Sequence, residues 1–152
     1  LLGQGFPRRV RDLLPDLRRL ADELGPRQER VRVDWLEALV AHKLGDHEPA
    51  ERLYRQVGSF FAEHGLPYDA ALVSLDLTAL YLEQGRTAEV RELAAEMMPL
   101  FLAQDVHREA VAALVAFHQA VEAEAASVAM VRELSRYLEQ VRRLPLPPAA
   151  VQ

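Results

Sequence analysis

The chain contains no cysteine and no isoleucine among its 152 residues. Without cysteine it can form no disulfide, no thiolate nucleophile and no zinc site with a cysteine ligand. No segment approaches the roughly 18 consecutive apolar residues of a transmembrane helix, and no basic segment followed by an apolar run marks a signal peptide. Leucine, alanine, glutamate and arginine favour helix over strand. We therefore expect a soluble, cytoplasmic, helical protein.

The sequence also lacks the local patterns of common catalytic and cofactor sites. It has no Gly-rich phosphate loop, no His-Glu-x-x-His zinc motif and no Gly-x-Ser-x-Gly nucleophile turn. We predict that the chain is not an enzyme and binds no cofactor or metal. The net charge of −5 would repel a phosphate backbone, so we expect no nucleic acid partner and no membrane partner for this domain.

The sequence contains a repeat of about forty residues. Gly5, Gly45 and Gly85 are forty residues apart, and the apolar positions that follow each glycine recur at helical spacing. The first unit supplies Val10, Leu13, Leu17, Leu20 and Ala21. The second and third units repeat this set, which predicts three helices that each bury one face. A further echo, displaced by one or two residues, follows after residue 105.

The pattern predicts seven antiparallel helices in one domain over residues 1–144. We place the helices at about 7–24, 27–44, 47–64, 68–84, 88–103, 106–125 and 128–144. The domain divides into a partial first repeat at 1–25 and repeats at 26–65, 66–104 and 105–144, with a Pro-rich tail at 145–152. Residues 1–5 match the helix end at 81–85, so we expect the chain to be the C-terminal fragment of a longer array.

Several helix ends and interruptions are predicted from single residues. Gly25 and Gly65 suit the left-handed backbone conformation that ends a helix. Pro15 falls inside a predicted helix and should cause a kink or a broken turn there, and Pro99 is a second proline inside a predicted helix. Three side chains are predicted to cap helix N-termini: Thr87, Asp105 and Ser127.

The helix predicted at 68–84 has no continuous polar side. A helix that is apolar all round is normally buried on all sides. One of its sides carries Leu72, Leu75, Ala79 and Leu82, and two interpretations remain for it. It is either packed core or the apolar wall of a binding groove.

The repeating hairpin resembles the tetratricopeptide repeat. The resemblance is carried by Leu77, Thr78, Tyr81, Gly85 and Ala94, and the preceding unit matches through Ala38, Gly45, Ala50 and Tyr54. The period of about 40 exceeds the family's 34, the usual tryptophan and proline are missing, and Val90 replaces an alanine. The longer period is similar to repeats in sensor domains of bacterial transcription activators and peptide-responsive regulators.

This resemblance implies a right-handed α-α superhelix, a tetratricopeptide-like solenoid of helical hairpins, that binds a protein or peptide in its concave groove. The implied role is a protein-protein interaction scaffold. The alternative is a sensor or oligomerisation domain of a bacterial transcription or signalling regulator, for which a homo-oligomer would be compatible. The groove-facing candidates are Arg32, Trp35, Leu39, His42, Lys43, Leu72, Leu75, Leu82, Glu83, Leu114 and Phe117. Trp35, Leu75 and Phe117 occupy equivalent positions and would form either a ladder along the groove or interhelical core.

Overall fold

The protein is helical throughout the part of the chain that the computed structural model describes, residues 5–25, 27–102 and 106–146. Within these ranges there are seven helices and no strand, which confirms the prediction of an all-α protein. The helices are α1 (Gly5–Leu24), α2 (Arg27–Lys43), α3 (His47–Glu63), α4 (Pro67–Glu83), α5 (Thr87–Leu102), α6 (Arg108–Glu122) and α7 (Val128–Val141). None of the described helices is both long and apolar enough to cross a membrane.

The helix ends test the predictions made from single residues. Ser127 caps α7, because its hydroxyl accepts a hydrogen bond from the Met130 backbone N–H at 3.2 Å. Thr87 is itself the first residue of α5 rather than the residue before it, so that prediction was wrong by one position. Asp105 lies outside the described residues. α6 begins two residues later than predicted, after His107, whose side chain makes no capping bond.

The two predicted helix-ending glycines behave differently. Gly65 has a φ of +67°, as expected for a left-handed helix end. Gly25 is not among the described residues with positive φ, so the prediction for it was wrong. Pro26 follows it, and a residue that precedes proline is disfavoured in helical conformations and is directed toward extended backbone. At the internal prolines Pro15 and Pro99, α1 and α5 continue without a break in the helix.

The chain divides into two compact units, Leu1–Phe60 and Phe61–Gln152. In the first unit α1 packs against α2, and Arg18 bridges them by ion pairs to Asp34 at 2.6 Å and Glu37 at 2.5 Å. Between α2 and α3, the buried His42 ring hydrogen-bonds to the Tyr54 hydroxyl at 3.0 Å. These polar contacts hold the three helices of the unit in register.

The apolar face of α1 is largely uncovered, contrary to the expectation that it is buried like its counterparts. Leu13 is 55% exposed and Leu20 is 49% exposed, whereas the matching Leu53 and Phe60 of α3 are buried. The physical reason is the number of neighbours. α1 has α2 as its main packing partner within the unit, and one helix can cover only part of such a stripe.

In the second unit, two hairpins face each other. α4 packs against α5 and α7, α5 also packs against α6, and α6 contacts α7. Arg142, just after α7, reaches the buried Asp69 of α4 at 2.9 Å. The core of this unit comes from all four helices, and its largest fully enclosed side chains include Leu75, Leu80, Tyr81, Phe101, Leu114 and Leu138. The apolar stripe of α7, Val131, Leu134, Leu138 and Val141, is buried.

Corresponding turns use different residues to reverse the chain. The α4–α5 turn places Gly85 at a φ of +71°, while the α6–α7 turn places Glu124 at +56°. Each follows the C-cap residue of its helix, Gln84 or Ala123. Glu124 is therefore the structural counterpart of Gly85, although it is a residue type that rarely adopts positive φ.

Candidate partner-binding groove

A groove separates the middle of α6 from the middle of α7. Its volume is about 620 Å³, and its lining comes from these two helices alone. The lining residues are Ala113, Ala116, Phe117, Ala120, Met130, Glu133, Leu134, Arg136, Tyr137 and Gln140. The groove therefore belongs entirely to the second unit.

Three alanines on α6 create the space. Ala113, Ala116 and Ala120 are three and four residues apart, so they lie along one side of the helix. None extends beyond Cβ, so these three positions leave space between α6 and α7. Small residues in a row also let another backbone approach closely. The sequence pattern thus produces a channel rather than a tightly packed helix pair.

Apolar side chains form the floor and one wall of the groove. Phe117 and Leu134 are buried at its base. Met130 is half-buried, and Tyr137 leaves 39% of its surface exposed. Methionine and tyrosine are typical of binding surfaces, because methionine adapts its shape and tyrosine combines an apolar ring with a polar tip. The lining therefore offers apolar contact area to a partner.

The rim of the groove is polar and electrically balanced. Glu133, Arg136 and Gln140 are exposed along α7. One acidic and one basic side chain give the rim no net charge. The lining contains no histidine, serine or lysine. Its chemistry suits binding of an apolar surface.

Both ends of the α6–α7 hairpin are fixed. At one end, the short turn after α6 leads into the Ser127 cap. At the other end, the His107 Nε2 atom lies 2.6 Å from the Leu144 carbonyl oxygen, which joins the start of α6 to the residues after α7. The His107 Nδ1 atom lies 2.6 Å from the Tyr68 hydroxyl of α4. The groove is thus framed by hydrogen bonds on the helices of its own unit.

The His107 ring bridges Tyr68 and Leu144. A carbonyl oxygen only accepts, so Nε2 donates to the Leu144 carbonyl. Nδ1 and the Tyr68 hydroxyl form a hydrogen bond at 2.6 Å, and the Tyr68 oxygen accepts the His107 backbone N–H at 3.0 Å. Burial raises the pKa of the Tyr68 hydroxyl, and the bond from the His107 N–H opposes that rise.

The predicted groove residues of the second unit fall in three environments. Leu72, Leu75, Leu114 and Phe117 are buried, Leu82 is half-buried, and Glu83 is exposed. Phe117 belongs to the α6–α7 groove, whereas Leu82 lines a separate small cavity near the α4–α5 turn. For Leu72 and Leu75, burial favours the interpretation as packed core.

The predicted groove residues of the first unit do not line the cavity found among its described residues. Arg32, Trp35 and Leu39 are half-buried, Lys43 is exposed, and His42 is buried with its ring on Tyr54. The unit's own cavity, about 420 Å³, is lined by other side chains of α1, α2 and α3. Its charges are paired within the unit, as in the Arg18–Asp34 contact. It is a weaker binding candidate than the α6–α7 groove.

Sequence reasoning missed most of the α6–α7 lining. The available signals were the alanine row on α6 and a second apolar spacing on α7, Met130, Leu134 and Tyr137, beside the core stripe. Within the described residues, no three histidine, aspartate or glutamate side chains are grouped as metal ligands.

Comparisons with known proteins identify no relative. No protein-family model matches the chain, and the comparisons with curated proteins and with solved structures found no match.

Proposed function

We propose that this chain is a binding module that holds a protein or peptide segment in the α6–α7 groove. The observation that carries the proposal is the combination of an alanine-lined channel with exposed Tyr137 and half-buried Met130 at its wall. The fixed hairpin ends support it, because a groove that exists before the partner arrives loses less entropy on binding.

The partner proposed is an amphipathic helix. A groove between two helices accepts a third helix through apolar anchors at i, i+3, i+4 and i+7. The alanine row permits close approach, and Phe117 and Leu134 offer an apolar floor. Glu133 and Arg136 at the rim would contact the polar edges of that helix. A partner recognised mainly by charge fits less well, because the rim is balanced.

The proposal keeps the helical-hairpin architecture implied by the resemblance to tetratricopeptide repeats but places the binding surface elsewhere. The consecutive antiparallel hairpins α4–α5 and α6–α7 support a relationship to that architecture. The binding surface proposed here differs from the predicted wall, because Leu72 and Leu75 of α4 are buried. We propose a non-enzymatic scaffold role, supported by the largely apolar lining of the groove.

Peptide display on the purified protein tests the proposal. Helical peptides selected for binding should carry apolar residues at helical spacing. Ala116→Trp should fill the groove, and Tyr137→Ala should remove a wall anchor; each should raise the Kd about tenfold or more, as loss of a buried aromatic anchor commonly does. Val115→Trp is the matched control, since Val115 lies on α6, is partly exposed and does not line the groove.

The proposal fails if the selected peptides bind Ala116→Trp and the wild type equally well. It also fails if Val115→Trp weakens binding as much as Ala116→Trp does. Circular dichroism spectra of the variants confirm that each remains helical, so that lost binding is assigned to the groove.

A further inference from the structure

The apolar stripe of α1 has the spacing of a coiled-coil seam. Phe6, Val10, Leu13, Leu17 and Leu20 follow one another at alternating intervals of four and three residues, which is the heptad pattern of positions that meet a partner helix. Leu24 continues the pattern in the sequence. The stripe extends along nearly the whole helix of 20 residues.

This seam is uncovered, while the adjacent side of α1 is occupied. Phe6, Leu13, Leu17 and Leu20 are between 37% and 55% exposed. Pro7 and Leu14, on the neighbouring side, are buried. The helix therefore uses one side for its own unit and presents a second apolar side to the outside, and exposed apolar rows of this kind mark interaction surfaces.

The charges along α1 are segregated in a way that complements an antiparallel copy. The first half carries Arg8, Arg9 and Arg11 against a single acid, Asp12. The second half carries three acids, Asp16, Asp22 and Glu23, against Arg18 and Arg19. Both arginines are already engaged, Arg18 by Asp34 and Glu37 of α2 and Arg19 by Asp16. Asp22 lies 3.9 Å from Arg30, which leaves Glu23 as the acid without an ion pair in the described part of the chain. Each half of the helix is thus opposite in sign to the half it would meet.

We propose that two copies of this chain associate through their α1 helices, packed antiparallel. A two-fold axis near position 15 brings Leu13 of one copy to Leu17 of the other and Val10 to Leu20. The same axis sets Arg9 level with Ala21 of the second copy, about 3 Å along the helix from the level of Glu23, and this approach of Arg9 to Glu23 occurs twice. Arg9 and Glu23 are both exposed, and neither makes an ion pair within the described part of its own chain.

Pro15 does not obstruct this pairing. It is two residues from both Leu13 and Leu17, which places it on the opposite side of the helix. A parallel arrangement fits less well, because it sets the basic first half of one α1 beside the basic first half of the other. A helix of another protein with balanced charge could cover the apolar seam, but its binding would not depend on the opposite charges of the two halves of α1.

The size of the seam indicates a weak, reversible dimer. A helix of 20 residues is about 30 Å long at 1.5 Å per residue. A single helix pair of that length buries less than the roughly 800 Å² per partner of a standard interface. We therefore expect dissociation constants in the micromolar range or weaker, and association that depends on protein concentration.

Sedimentation equilibrium of the full chain from about 1 μM to 1 mM tests the proposal. The wild type should show a monomer–dimer equilibrium, and Leu13→Glu should shift its Kd upward at least tenfold. Leu102→Glu is the matched control, because Leu102 is 72% exposed on α5 and should leave the equilibrium unchanged. Tyr137→Ala should also leave it unchanged, which separates this surface from the α6–α7 groove.

A charge exchange tests the antiparallel register. Arg9→Glu alone and Glu23→Arg alone should each weaken the dimer several-fold, and the double variant should restore it. A protein that stays monomeric at all concentrations overturns the proposal. So does a dimer that survives Leu13→Glu, or one that the double variant fails to restore. All of these positions are exposed, so the variants should keep the helical circular dichroism spectrum of the wild type.

Discussion

Replacing Tyr68 by phenylalanine should lower the free energy of unfolding, because it removes a hydroxyl that is hydrogen-bonded to the buried His107. The variant keeps the ring, which packs edge-on against Phe101 with ring centres 5.3 Å apart. It removes only the hydroxyl, which lies 2.6 Å from His107 Nδ1 and 3.0 Å from the His107 backbone N–H. Both groups belong to a residue that is only 4% exposed, so water reaches them poorly.

The magnitude follows from the two groups left without a partner. A buried donor or acceptor that loses its hydrogen bond costs about 1–3 kcal/mol. Because Tyr68 itself is only half-buried, water can partly replace its hydroxyl, and we expect a total of about 2 kcal/mol. In a chain of 152 residues that corresponds to a fall in Tm of roughly 4–8 °C.

The alkaline dependence of stability provides a second measurement. Burial raises the pKa of Tyr68 from its ordinary value of 10.0, so the folded protein keeps this proton at a pH where the unfolded chain loses it. The resulting stabilisation is fully present below about pH 10 and is lost as pH rises through the folded pKa. Tyr68→Phe should therefore show a shallower loss of stability above that pH.

Urea unfolding at neutral and alkaline pH measures both effects. Tyr137→Phe is the control, because Tyr137 is partly exposed at the groove wall and its hydroxyl should contribute little. A fall in unfolding free energy below about 0.5 kcal/mol for Tyr68→Phe, the lower limit for a typical hydrogen bond, would refute the reasoning. An unchanged alkaline slope would refute the part that concerns the pKa.

Two further predictions concern α4 and the α6–α7 turn. Leu75 is 0% exposed, so Leu75→Ala should cost about 2–5 kcal/mol in urea unfolding; a loss below 1 kcal/mol would return this residue to the groove interpretation. Glu124 has a φ of +56°, so Glu124→Gly should relieve strain and raise stability by about 0.5–1 kcal/mol. Glu124→Ala is its control, since it removes the exposed ion pair with Arg91 without relieving the strain; equal stability of the two variants would contradict the strain argument.

The positions of the helices could be predicted because their causes are local. Intrahelical hydrogen bonds join residues four apart, so spacing and caps within a short segment specify where a helix forms. Ser127 was identified from the sequence and caps α7. Gly25 was misassigned because the adjacent proline dominates its conformation. Glu124 could not be found by alignment with Gly85, because α6 ends three residues earlier than the pattern suggested.

The polar network around His107 had no sequence signal. Tyr68 and Leu144 lie 39 and 37 residues away from it along the chain, and nothing in their local patterns marks them as partners. Only part of the groove between α6 and α7 could be predicted from the sequence. The alanine row of α6 can be read there, but how closely α7 packs against this row depends on the contact between α7 and α4.

The sequence by itself determined that this protein is helical, where most helices lie, and which side of each helix is apolar, because those properties depend on residues within a few positions of one another. Only the tertiary structure decided which apolar sides are covered. α1 and α5 carry aligned stripes, yet α5 lies between α4 and α6 while α1 has chiefly α2 beside it. Burial depends on the neighbours that surround a helix, and the chain folds those neighbours into place from distant positions.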